Sequence, residues 1–112
     1  SMAAAHYGLD NLTVLVDHNG LQIDGTNDQV MSLGNLKAKF EAFGYAVTEV
    51  DGHDLDALAA ALQKPAVPGK PSLLLARTVK GKGVSFMENQ VGWHGKAPNQ
   101  DERVAALREL EG

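Results

Sequence analysis

The chain contains no cysteine, which excludes a disulfide framework, a thiol nucleophile and any thiolate metal site. Positive charge is also in short supply: Lys and Arg total 10 against 14 Asp and Glu, leaving a net charge of −4. Nucleic acid is therefore not the expected partner, because neutralising a phosphate backbone needs a cationic surface. No apolar run approaches the ~18 residues needed to cross a bilayer, and no signal-peptide pattern opens the sequence, so no membrane role is expected. Internal repeats and low-complexity tracts are missing. Glycine and proline, at 12 and 4, are too aperiodic for a collagen or linker reading. What is present is an ordinary globular mixture, 44% hydrophobic and 21% charged. It predicts a small, soluble, mildly acidic, cytoplasmic domain. At 112 residues the chain is shorter than the ~150 of an average domain, and such a chain buries only about two-thirds of its unfolded surface.

The charge is unevenly spread. Lys37, Lys39 and Lys64 face nine acids before residue 70, whereas Lys70, Arg77, Lys80, Lys82 and Lys96 face only Glu88 between Lys70 and Gln100. A cationic loop in an acidic body suits a small anionic ligand, although charge alone equally describes a solvated surface loop.

Strand and helix patterns alternate along the chain. Residues 2–7 read as the last turns of a helix that lacks an N-cap, with Gly8 at its C′ position. Leu12–Val16 is a short β-branched apolar run, expected to be a strand buried on both faces and to end in the turn residues Asp17–Gly20. Residues 23–28 read as loop. Leu33, Leu36, Phe40 and Phe43 trace an amphipathic helix that Gly44 stops. Tyr45–Val50 is the second strand. Asp54 caps a helix carrying Leu55, Leu58, Ala59 and Leu62, which ends before Pro65. Pro71–Ala76 is the third strand, again apolar on both faces, and a closing helix from Asn99 or Gln100 to Leu110 uses Val104, Leu107 and Leu110.

Strands separated by helices predict an α/β fold: a three-stranded parallel sheet with flanking helices and right-handed crossovers. Ligands in such sheets sit beyond the carboxyl ends of the strands. Two long segments leave that edge, Asp17 to Asp28 and Thr78 to Pro98, and loops of this length are commonly functional.

The first segment offers Asn19, Asp24, Asn27 and Asp28 beside Gly20 and Gly25. Oxygen donors at short spacing can hold Mg²⁺ or Ca²⁺, but the spacing is not that of an EF-hand, and the same residues simply shape turns. The second segment offers Lys80-Gly-Lys-Gly83 and Trp93-His-Gly-Lys96. Its glycines let backbone approach an anion and its lysines supply charge, without the spacing of a Walker A loop. His94 is suited to donate to a phosphate or to move a proton. No Ser/His/Asp set is evident, and His6, His18 and His53 show no metal-ligand spacing.

Taken together, the segments Gly8–Gly25, Val50–Asp54, Thr78–Gly83 and Glu88–Lys96 resemble transketolase, specifically the N-terminal, thiamine diphosphate-binding section found in bacterial split transketolases. The resemblance runs from Met2 onward with the motifs in order. It implies that Asn19 gives a side-chain oxygen and Leu21 a backbone carbonyl to Mg²⁺. It further implies that Lys80 lies near the diphosphate, and that His94 contacts both the diphosphate and the substrate oxygen near the reacting thiazolium, as a catalytic residue. The cofactor itself carries the carbanion chemistry, and the protein orients it. Sugar phosphates are the implied substrates, and a pyrimidine-binding subunit is the implied partner.

One part of the family pattern is missing. No Gly-Asp-Gly precedes Asn19, although its Asp is the other protein ligand expected for the metal. Residues 1–112 are thus expected to be a truncated thiamine diphosphate-binding domain, with Ser1 a tag remnant, inactive alone, binding the cofactor weakly or not at all, and lacking the partner's activating glutamate. Two alternatives stand beside this. The chain is an assembly module that forms homo-oligomers through an exposed sheet edge, or a piece of a deoxyxylulose-phosphate synthase-like thiamine enzyme.

Overall fold

The computed structural model describes residues 1–64 and 66–112. In chain order its elements are α1 (Met2–His6), β1 (Thr13–His18), β2 (Leu21–Gln22), β3 (Gly25–Thr26), α2 (Asn27–Val30), α3 (Leu36–Ala42), β4 (Ala46–Asp51), α4 (Leu55–Gln63), β5 (Ser72–Arg77) and α5 (Gln100–Glu111), with a 3₁₀ turn at Val91–Trp93. They fall into two units.

The first unit, Ser1–His18 with Leu33–Thr78, holds α1, β1, α3, β4, α4 and β5. The expected three-stranded parallel sheet is present, in the order β1-β5-β4. Thr13 pairs with Ser72 and His18 with Arg77 on one side of β5, while Ala46 pairs with Ser72 and Asp51 with Arg77 on the other.

Sequence explains why β5 is central. Leu73, Leu74, Leu75 and Ala76 are all buried, as a strand covered on both faces requires. Leu73 and Leu75 share a cluster with Tyr45, to which Ala4, Val14, Val16, Leu36, Phe40 and Val47 add partly buried surface. Phe40 meets Tyr45 edge to face at a centroid separation of 5.6 Å. On the alternate face, Leu74 shares a cavity of about 160 Å³ with Ala61 of α4 and Val67.

Several boundaries differ from the sequence reading. β1 is not buried on both faces: its exposure alternates, and Leu15 is 58% exposed. The physical reason is its place at the edge of the sheet, which an apolar run alone does not reveal. Asp17 and His18 belong to this strand rather than to a turn, and Asp17 accepts a hydrogen bond from the Thr78 hydroxyl. The helix expected from Leu33 begins at Leu36, where Asn35 accepts from the Ala38 N–H at 2.9 Å. Asp54 caps α4 as expected, through Ala57 N–H at 2.9 Å. The helix ends at Gln63, and Pro65, the expected stop, lies outside the described residues.

Exposed charges decorate the sheet end. The Arg77 guanidinium, 2.7 Å from Glu49, and more weakly the Lys37 ammonium at 3.8 Å, hold the Glu49 carboxyl below the usual carboxylate range. Such solvent-exposed pairs add little to stability.

The second unit, Asn19–Ser32 with Val79–Gly112, is built from the two long segments and the closing helix. It contains β2, β3, α2, the 3₁₀ turn and α5. Residues 23–28, expected as plain loop, include the antiparallel β3 strand and the start of α2. Thr26 and Gln29 form a reciprocal capping box that starts this short helix. α5 begins as expected after Asn99, which forms a second capping box with Glu102. Its apolar stripe differs from expectation: Ala106 is the buried residue, whereas Val104, Leu107 and Leu110 are 38%, 43% and 60% exposed. No helix among the described residues is long and apolar enough to cross a membrane.

Candidate functional site

Within the second unit a cavity of about 240 Å³ is lined by Asn19, Leu21, Gln22, Ile23, Lys80, Val91 and His94. Its walls come from three short stretches, each held by its own local hydrogen bonds.

Asn19 opens the first stretch. Its Oδ1 accepts the Leu21 N–H at 3.0 Å, an Asx turn that fixes the carboxamide at the foot of the β2–β3 hairpin. Gly20, with φ at +75°, supplies the left-handed bend, and its carbonyl accepts from Asn27 N–H at 2.9 Å. The second stretch carries Lys80. Its carbonyl accepts from Asn89 N–H at 2.9 Å, closing a loop that includes Gly81 and Gly83. Inside that loop Glu88 accepts the Gly83 N–H at 3.0 Å and lies 3.9 Å from the Lys82 ammonium.

His94 caps the third stretch, the 3₁₀ turn, with its backbone N–H donating to Val91 at 2.9 Å. Trp93 beside it donates from Nε1 to the Phe86 carbonyl at 3.1 Å. The Lys96 ammonium lies 4.0 Å from the Trp93 ring centroid and 3.1 Å from Glu102. Donation from the Asn99 backbone N–H, then the Lys96 ammonium, holds the Glu102 carboxyl below the usual carboxylate range. Glu109 is lowered likewise, by the backbone N–H and then the hydroxyl of Ser85.

The four residues assigned roles by the resemblance, Asn19, Leu21, Lys80 and His94, therefore line one cavity. Gln22, Ile23 and Val91 join them without having been expected. The signal for Gln22 and Ile23 is adjacency to Leu21; Val91 is brought in by the 3₁₀ turn. Asp24, Asn27, Asp28 and Lys82 do not line the cavity, and Asn27 and Asp28 form the first turn of α2. Among the described residues no group of three or more His, Asp or Glu is placed to hold a metal ion. The donors that fit an oxygen-loving cation here are the Asn19 carboxamide, whose oxygen keeps a second lone pair, and the Leu21 carbonyl. Lys80 and His94 supply donors suited to an anion.

The model of the transketolase thiamine diphosphate binding domain matches residues 1–112. The chain belongs to that family. It is 40% identical over 111 residues to an apulose-4-phosphate transketolase subunit from Actinobacillus succinogenes, covering 99% of this chain and 40% of that relative. It is 42% identical over 109 residues to a transketolase of Sinorhizobium medicae, covering 97% of this chain and 15% of that one. Among solved structures, transketolase from Campylobacter jejuni superposes with a TM-score of 0.83 at 29% identity, over 98% of this chain and 18% of that one. A Pichia stipitis transketolase in complex with sedoheptulose-7-phosphate gives 0.88 at 26% identity, over 98% and 16%. This transketolase-family chain thus spans about 40% of the length of the Actinobacillus relative.

Proposed function

We propose that residues 1–112 form one portion of the diphosphate-binding domain of a transketolase whose whole form transfers a two-carbon ketol unit between sugar phosphates. When bound, thiamine diphosphate supplies the carbanion chemistry. In this reading Asn19, through Oδ1, and Leu21, through its carbonyl, are donors to Mg²⁺. Lys80 lies against the diphosphate. His94 would donate to the diphosphate and to the substrate oxygen, which would make it the catalytic residue of this chain. The observation that carries the reading is that these four residues share one cavity within one unit.

Mg²⁺ demands close to six oxygen ligands in octahedral array. Two donors from this chain would leave the other positions to the cofactor, water and groups this chain does not supply. The Actinobacillus relative is named as one subunit of its transketolase, which supports a separate partner for this chain as well. We assign that partner the pyrimidine end of the cofactor and its activating glutamate. The exposed edge at β1, with Leu15 uncovered, supports homo-oligomerisation through that edge. A monomer by light scattering at high concentration contradicts this last element.

The reading is tested by calorimetry of the 112-residue chain with thiamine diphosphate and Mg²⁺. The expected result is weak binding, in the millimolar range, and no ketol transfer by the chain alone. Micromolar affinity contradicts the division of the site between this chain and groups outside it.

A further inference from the structure

His94 sits close to two glycines, Gly92 and Gly95, the latter with φ at +79°. Such a segment has wide backbone freedom unless something removes it. The His94 backbone N–H donates to the Val91 carbonyl at 2.9 Å, which ties its main chain to the 3₁₀ turn. Two residues that straddle His94 grip one another: the Lys96 ammonium lies 4.0 Å from the Trp93 ring centroid. This contact closes the segment 93–96 into a turn that contains His94.

Both ends of the turn are tethered. Trp93 is tied through Nε1 to the Phe86 carbonyl at 3.1 Å and packs against the Phe86 ring at a centroid separation of 5.6 Å. Lys96 is tied to Glu102 at 3.1 Å, and Glu102 is itself fixed by its capping box, accepting from Asn99 N–H at 2.7 Å. We infer that Lys96 and Glu102, acting through Trp93, are positioning residues for His94. A carboxylate, an ammonium and an indole in series hold the imidazole at the cavity wall, ready for a diphosphate. The inference rests on the reading of His94 given above, but its first test needs no ligand.

The test uses the full chain and the ring-proton resonances of His94. Lys96→Met removes the ammonium. Glu102→Gln removes the ion pair, yet its amide oxygen still accepts the Asn99 N–H, so α5 keeps its cap. Both variants are expected to shift the His94 ring signals and to lose the Overhauser contacts between the Trp93 ring and the residue-96 side chain. Lys96→Arg, which keeps the cation and its pairing, is expected to restore both. Lys82→Met, a lysine of the same unit outside the series, is expected to leave them unchanged.

Unchanged His94 signals in Glu102→Gln with α5 intact by circular dichroism overturn the inference. Failure of Lys96→Arg to restore them does the same. A second arm adds millimolar inorganic pyrophosphate. A shift of His94 in the unmodified chain, weakened severalfold in Lys96→Met, supports positioning toward a diphosphate. No shift in the unmodified chain overturns the diphosphate reading itself, while the first arm still decides the clamp.

Discussion

Leu73→Ala is expected to destabilise the chain by about 3–5 kcal/mol, read as a drop in the urea midpoint at unchanged slope. Leu73 is 0% exposed, lies in the central strand and packs in the cluster with Tyr45 and Leu75. Truncating its isobutyl side chain to a methyl loses the transfer energy and leaves a void between a sheet and the helices that cover it. The surroundings cannot collapse into that void easily, since β5 is pinned by parallel pairing on both sides. Against a total of about 5–15 kcal/mol for a domain, the loss is a large fraction. Leu15→Ala on the edge strand is the internal comparison: at 58% exposure it is expected to cost under about 1 kcal/mol. Equal costs for the two substitutions contradict the assignment of central and edge strands.

Gly81→Ala is expected to disorder the Lys80 loop. Gly81 has φ at +74°, and a Cβ there would stand 2.6 Å from the Met87 carbonyl oxygen and 2.7 Å from its carbon. The left-handed backbone alone costs a non-glycine residue about 1–2 kcal/mol. The overlap is with backbone rather than a flexible side-chain tip, so the loop itself must shift. That shift breaks the Asn89-to-Lys80 and Val84-to-Gly81 hydrogen bonds, of 2.9 and 3.1 Å. The measurement is amide hydrogen exchange, with protection expected to fall at Val84 and Asn89 and to persist in β5. Gly20→Ala separates torsion from overlap, because Gly20 shares the positive φ but has nothing within 4 Å of its Cβ position. Protection at Val84 and Asn89 that survives in Gly81→Ala contradicts this account of the loop.

Both sites bear on how far the sequence discloses the fold. The Leu73–Ala76 run announces a strand buried on both faces, and it is one. Thr13–Val16 looks the same by composition, yet lies at an edge, because pairing order depends on contacts remote in sequence. The β2–β3 hairpin escapes a reading by periodicity, since two-residue strands carry none. The capping box that starts α2 is nonetheless visible as Thr26-Asn-Asp-Gln29, the spacing such a box requires. In α5 the apolar spacing picks Val104, Leu107 and Leu110, whereas the small Ala106 is the residue that is buried.

The candidate site is legible in a different way. By residue type alone, Asn19 and its neighbours read as turn formers, and Asn19 does shape a turn through Leu21 N–H. Resemblance to transketolase picks out Asn19, Leu21, Lys80 and His94 together, and their shared cavity is a matter of tertiary structure. The clamp around His94 lies beyond sequence reasoning, since a cation over an indole depends on how the 93–96 turn closes.

The proposed role of this cavity is to receive the diphosphate of the cofactor. Backbone amide shifts during titration of the chain with thiamine diphosphate and Mg²⁺ test it most directly. Shifts are expected to concentrate at Asn19–Ile23, Lys80 and Val91–His94, to saturate only in the millimolar range and to be strongly reduced in Lys80→Met. Shifts centred elsewhere, such as around Ala61 and Leu74, or shifts that Lys80→Met leaves intact, would contradict it.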